Sequence, residues 1–174
     1  MNIVVCIKQV PDSAARVTAE GGKVTWGDAP LVMNPWDEYA VEAALLLQEA
    51  AGGDVTAISV GGESATEALK TALAMGCNQA ILVSDPALEG SDSRAVACVL
   101  AEAIQKVGGV DVAFFGKQAI DGDMGVTHAQ TARFLGWPMI SLASSIQAAG
   151  GGLRIERSIE EGKQIVEAGL PAVV

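Results

Sequence analysis

Val110-Asp111-Val112-Ala113-Phe114-Phe115-Gly116-Lys117-Gln118-Ala119-Ile120-Asp121-Gly122-Asp123-Met124-Gly125-Val126-Thr127 is the stretch that decides the fold. It begins as a short apolar run rich in strand-forming residues, the pattern of a strand buried on both faces. It then opens into a glycine-bearing loop, and a helical pattern follows over residues 127–135. Glycines let a backbone approach a ligand closely, and a branched Cβ at Gly116 is expected to block that approach. The following helix turns free N–H groups and the positive end of its dipole toward the same place. Thr127 adds a hydroxyl. Asp121 and Asp123 would repel a phosphate unless turned away, to cap the helix or to hold loop N–H groups. Neither G-x-x-x-x-G-K-[ST] nor a G-x-G-x-x-G after the first strand is present. From physics alone the loop reads equally as a phosphate cradle or as a plain connector.

Working outward, strand and helix patterns alternate. Residues 2–10 read as a buried strand, and residues 16–18 and 23–25 flank Gly21-Gly22 as a small hairpin. Asn34-Pro35-Trp36-Asp37-Glu38 opens a helix, with Asn34 at the N-cap, proline at the first helical position and two acids at the positive dipole end. Gly52-Gly53 ends it. Residues 54–60 form a second strand, and Ser64 with Glu67 form a capping box for a helix that Gly76 stops. Residues 80–83 are a third strand, and residues 92–107 a helix with Ser91-Asp92 as its cap. After Trp137-Pro138 the character changes. Residues 139–143, Gly150-Gly151-Gly152 and Glu161-Gly162 between extended runs predict an antiparallel meander.

Crossovers between parallel strands are right-handed. The expected fold is therefore α/β: a doubly wound, mostly parallel sheet with helices on both faces and a small antiparallel meander near the C-terminus, forming a single domain over residues 1–174. Ligands of such sheets bind beyond the carboxyl strand ends, where strand order reverses. If the first strand neighbours the fourth there, Cys6-Ile7-Lys8-Gln9 and the 116–127 segment face one crevice.

Composition agrees. The chain of 174 residues is 50% hydrophobic but only 4% aromatic, the Ala/Val/Leu/Ile filling of a covered parallel sheet. A net charge of −10 argues against a nucleic-acid surface. No apolar run long enough to span a bilayer occurs, and the start lacks signal-peptide features, so no membrane insertion and a cytoplasmic location are expected. Cys6, Cys77 and Cys98 lack metal-ligand spacing and read as reduced thiols. His128 has no evident partner for general-base work and reads as structural or ligand-lining. Cys6, in an apolar strand, reads as inert. Trp36 and Trp137 read as packing residues, and Asp121 with Asp123 specify too few oxygen ligands for a Mg²⁺ site.

At the 116–123 loop the sequence resembles the electron transfer flavoprotein β subunit family. Val4-Val5-Cys6-Ile7-Lys8-Gln9-Val10-Pro11-Asp12, Met33-Asn34-Pro35-Trp36-Asp37-Glu38-Tyr39-Ala40-Val41-Glu42, Thr71-Ala72-Leu73-Ala74-Met75-Gly76, Gly90-Ser91-Asp92, Phe134-Leu135-Gly136-Trp137-Pro138 and Gly169-Leu170-Pro171-Ala172-Val173-Val174 resemble its other landmarks in order and spacing. The resemblance implies a heterodimer with a larger α subunit, carrying FAD mostly on that subunit. It implies electron transfer from acyl-CoA or other flavin dehydrogenases, without catalytic residues in this chain. It also implies an adenine nucleotide here: AMP, or a second FAD in the same site as in electron-bifurcating members. Gly90-Ser91-Asp92 and Asp121-Gly122-Asp123 resemble the bifurcating type, and Lys117 the AMP type. Carried over, the nucleotide contacts are Cys6, Asn34, Pro35, Trp36, Asp37, Val60 and residues 116–127, with Cys6 and Val60 acting through backbone groups. Asn34 is expected either to cap its helix or to reach the ligand. Met124-Gly125-Val126-Thr127 carries fewer side-chain donors than the family pattern. The family continues beyond the Val174 landmark into a dehydrogenase-docking loop and an arm, so a fragment or a short variant is expected. The alternative is a stand-alone nucleotide sensor or scaffold.

Overall fold

The computed structural model describes residues Met1–Val174, the side chain of Glu20 excepted. In chain order the elements are β1 (Asn2–Cys6), β2 (Gln9–Pro11), β3 (Thr18–Glu20), β4 (Lys23–Thr25), β5 (Leu31–Met33), α1 (Pro35–Ala51), β6 (Asp54–Val60), α2 (Thr66–Met75), β7 (Gln79–Val83), α3 (Ser93–Val107), β8 (Val112–Phe115), α4 (Thr127–Leu135), β9 (Ala143–Ala149), β10 (Gly152–Ile159), β11 (Gly162–Gly169) and β12 (Ala172–Val173). The main sheet is parallel, in the order β12-β8-β1-β6-β7. From β1 the chain winds out through β6 to β7, then returns to the other side of β1 as β8. The strand order therefore reverses between β1 and β8.

Alternation along β1 shows why both faces are covered. Ile3 and Val5 join one apolar cluster with Val41, Ala44 and Leu47 of α1 and Leu69 of α2. Val4 and Cys6 join another with Leu100 and Ile104 of α3 and Ala132 of α4. The period-2 strand thus feeds two helical layers. The β9–β11 meander, ordered β11-β10-β9, packs Leu153 and Ile155 into the α1 layer. The doubly wound sheet and the antiparallel meander are both present.

Several boundaries move. The strand expected over residues 2–10 breaks after Cys6. The Ile7 amide donates to the Ile58 carbonyl at 2.9 Å and the Lys8 amide to the Asp37 carboxylate at 2.7 Å, which turns the chain into β2, paired with β5. The capping box does not form: α2 starts at Thr66 after a 3-10 turn over Glu63–Ala65, and Glu67 pairs with Lys70 instead. Met139 belongs to no meander strand but bridges Val173. The tail returns to the main sheet as β12, with the Ile140 amide bonded to the Val173 carbonyl at 2.9 Å. Arg16 and Val17 precede the β3–β4 hairpin rather than forming part of it.

Candidate functional site

A cleft of about 350 Å³ lies at the β1–β8 switch point. Its floor is the carboxyl end of three strands: Cys6 of β1, Val60 of β6 and Phe115 of β8. Val96 and Leu100 of α3 add an apolar wall. Its rim is the 116–126 loop, the first turn of α4 and the Ser91-Asp92-Ser93 entry to α3. The volume sits at the lower end of ordinary ligand pockets.

The start of α4 is built to receive an acceptor. Its N-cap is Val126, which supplies no side-chain cap, and the first intrahelical bond runs from the Gln130 amide to the Val126 carbonyl at 3.0 Å. The amides of the preceding turn therefore have no intrahelical partner, and Thr127 and His128 of that turn line the cleft. Just before it, Gly125 holds φ +57, a conformation that a side chain would strain. At α3 one amide of the first turn is taken by a side chain, because Asp92 accepts the Ala95 amide at 2.8 Å, the cap the sequence predicts.

Both loop aspartates have protein partners, and only Asp123 lines the cleft. Lys8 Nζ donates to both oxygens of Asp121 at 2.7 Å, and Asp121 lies outside the cleft lining. Asp123 has a left-handed φ of 54, and its carboxylate accepts from the Gln118 amide group. The Asp123 amide donates to the Ala119 carbonyl at 2.8 Å. Neither aspartate caps α4. Lys117 Nζ stands 5.4 Å from the centre of the Trp36 ring, a cation–π contact.

Asn34 does not cap its helix through its side chain, although it holds the N-cap position of α1 and lines the cleft. Its Nδ2 donates to the Gln118 carbonyl at 2.9 Å, and its Oδ1 accepts the Ile120 amide at 3.2 Å. Asp37, one turn on, is buried and accepts the backbone N–H of Lys8 at 2.7 Å, with its carboxylate packed against Gly116. Burial pushes the Asp37 carboxyl up to about 7, against the opposing pull of neighbouring hydrogen-bond donors and of the Lys8 charge. Burial, with the nearby Asp37 charge, also pushes the Cys6 thiol up, which keeps it protonated and inert. His128 is pulled below its ordinary value by burial, with its ring tilted against Phe115 at 6.5 Å between centroids.

Gly116 is required for a reason the sequence did not suggest. A Cβ there would meet the Asp37 carboxylate and, at 2.7 and 2.8 Å, the Trp36 carbonyl carbon and oxygen. The close approach is helix α1 against the end of β8, not a ligand against the loop.

Of the residues singled out from sequence, Cys6, Asn34, Asp37, Val60, Gly116, Lys117, Gln118, Ala119, Gly122, Asp123, Met124, Gly125, Val126 and Thr127 line the cleft. Pro35, Trp36, Ile120 and Asp121 do not. Trp36 instead lines a larger groove of about 650 Å³ between α1 and β9, beside Tyr39, Leu46 and Leu142. Sequence reasoning did not place Ser91, Asp92, Ser93, Val96 and Leu100 in the site. The available signal was Gly90-Ser91-Asp92 between a strand and a helix, which at the carboxyl edge of a parallel sheet faces the crevice. Among the described residues no cluster of His, Cys, Asp and Glu is arranged to hold a metal ion.

Fold and cleft together define a class, the doubly wound α/β protein with a ligand-sized cleft at its switch point. Residues 22–174 match the electron transfer flavoprotein domain. The chain is 39% identical over its whole length to the electron transfer flavoprotein subunit beta of Clostridium acetobutylicum, covering 67% of that protein. It is 38% identical to Protein FixA of Azorhizobium caulinodans, covering 65% of it. It is 36% identical to the caffeyl-CoA reductase-Etf complex subunit CarD of Acetobacterium woodii, covering 67%. The chain belongs to the electron transfer flavoprotein family, on the side of the β subunits and FixA proteins. It spans about two thirds of the length of these relatives.

Proposed function

We propose that this chain is the nucleotide-holding domain, over residues 1–174, of an electron transfer flavoprotein β subunit. In this reading it works with an α subunit, shares an FAD with that subunit, and passes electrons from acyl-CoA or other flavin dehydrogenases to an acceptor. Its own part is to bind and to shape, while the redox chemistry is supplied by the flavin when bound. Family membership supports the carrier role. Free Cys6, Cys77 and Cys98 fit the reducing conditions of a cytoplasmic carrier. No helix is long and apolar enough to cross a membrane.

The observation that carries the nucleotide assignment is the uncapped first turn of α4 opening onto the switch-point cleft. A phosphate there would accept the free amides of that turn and the Thr127 hydroxyl, with Gly125 supplying the left-handed turn that leads into the helix. The base would lie on the apolar floor of Val60, Val96, Leu100 and Phe115. With Lys8 engaged by Asp121 and Lys117 lying over Trp36, backbone donors carry the phosphate recognition. The small volume favours AMP over FAD, whose second half would have to extend beyond the cleft.

The test is denaturation of the purified protein and identification of the released nucleotide. The expected result is stoichiometric AMP, with a chain that absorbs in the ultraviolet but is nearly colourless. Stoichiometric FAD from the chain alone would replace AMP by the bifurcating type of site. Release of no nucleotide, with no AMP binding on titration, would remove the assignment.

A further inference from the structure

Asn34 and Asp37 face the cleft, yet their polar atoms are turned to protein. Asn34 is 1% exposed and Asp37 6%. The Asn34 amide reaches across 84 residues of sequence to the Gln118 carbonyl and, from its other end, takes the Ile120 amide. Asp37 takes the amide of Lys8, and its carboxylate packs against Gly116, so that it touches the residues at which β1 and β8 open into the two sides of the cleft. A side chain that bonds backbone on both sides of Ala119 fixes the course of the first half of the loop, because a polar backbone group shielded from water and left unpaired costs about 1–3 kcal/mol.

We propose that Asn34 is a positioning residue, which with Asp37 braces the 116–126 loop and the β1 and β8 ends into the shape that accepts a nucleotide, without touching the nucleotide through its side chain. The proposal rests on the nucleotide reading of the cleft. It gives the Asn-Pro-Trp-Asp segment a role different from ligand contact. The brace is local to α1. Helix and loop are tied through Asn34, helix and strand ends through Asp37, and both anchors lie on the first helical turn. Pro35 between them sets the backbone angle at the helix start. The other side-chain bonds of the loop, Lys8 to Asp121 and Gln118 to Asp123, are exposed and add less, while the Asp123 amide bond to Ala119 is internal to the loop.

The experiment measures two quantities on Asn34→Ala and Asn34→Asp: AMP affinity by calorimetry, and amide exchange of residues 117–125 without ligand. Conditions are far from the unfolding range. The brace predicts faster exchange across the loop in Asn34→Ala, together with an AMP affinity lower by about tenfold. Asn34→Asp keeps the acceptor for Ile120 but loses the donor to Gln118. That variant should retain protection at Ile120 while still losing affinity, and it serves alone if Asn34→Ala does not fold. Thr127→Val, by contrast, should weaken AMP with loop exchange unchanged. Loss of affinity with full loop protection in the Asn34 variants would mean direct ligand contact and overturn the proposal. So would unchanged affinity and unchanged exchange. If AMP fails to bind even the unaltered chain, the nucleotide reading fails by itself, and the exchange measurement then decides the brace alone.

Discussion

A single added methyl at Gly116 would collide with the Asp37 carboxylate and the Trp36 carbonyl, so this position answers to packing before it answers to any ligand. Gly116→Val should therefore destabilise the whole domain by about 1–3 kcal/mol or more in urea unfolding, as overpacking against backbone does. Lys117→Ala removes one partly exposed cation–π contact and should cost no more than about 1 kcal/mol. Equal losses would show that helix α1 yields easily and that the contact is not tight. Asp37 sets a pH dependence. Its folded value of about 7 lies above the ordinary 3.8, so between those values the native state holds a proton that the unfolded chain has released. Stability contributed by this group is full below about pH 4 and is lost as pH rises through 7, by up to a few kcal/mol. Urea midpoints followed from pH 4 to 8 should show that decline. In Asp37→Asn the slope should flatten, with the side-chain carbonyl still able to accept the Lys8 amide. An unchanged slope in the variant would assign the pH dependence elsewhere.

Among the elements, α2 and α3 separate a cap that forms from one that does not. Asp92→Ala should destabilise by about 1 kcal/mol, since Asp92 accepts the Ala95 amide. Ser64→Ala should be nearly silent, since Ser64 sits in a 3-10 turn and caps nothing in α2. Thermal melts of the two variants decide this, and a Ser64→Ala loss as large as that of Asp92→Ala would restore the capping box. The contrast shows what was legible in the sequence. Hydrophobic runs of strand length separated by helical patterns pointed to a parallel sheet with helices on both faces, because burial on two faces makes most of β1, β6 and β8 apolar. The cleft was legible on the condition that β1 neighbours β8, which the strand order meets. What the sequence concealed were choices between equally good hydrogen-bond partners. Asn34 could cap α1 or reach across to Gln118, Asp121 could meet a loop amide or Lys8, and the β1 run could continue or turn at Ile7. Each is settled by a partner 29 to 113 residues away or by the β6 neighbour Ile58, and none leaves a periodic trace.

At the scale of the whole molecule, the chain presents a cleft at the switch point and a larger groove on the α1 side of Gly116 and Lys117, sharing Phe115, Gly116, Lys117 and His128. The smaller cleft has the free helix turn and the apolar floor. The larger one is bounded by Trp36, Tyr39 and the meander. The central claim is that an adenine nucleotide occupies the first. Amide chemical shifts of the isotope-labelled chain, followed through an AMP titration, test it most directly. Saturable shifts are expected at Cys6, Val60, Ser91 to Ser93 and residues 116–128, largest at Thr127 and His128, with residues 141–146 nearly unmoved. No saturable shift, or shifts centred on Trp36, Tyr39 and residues 141–146, would contradict it.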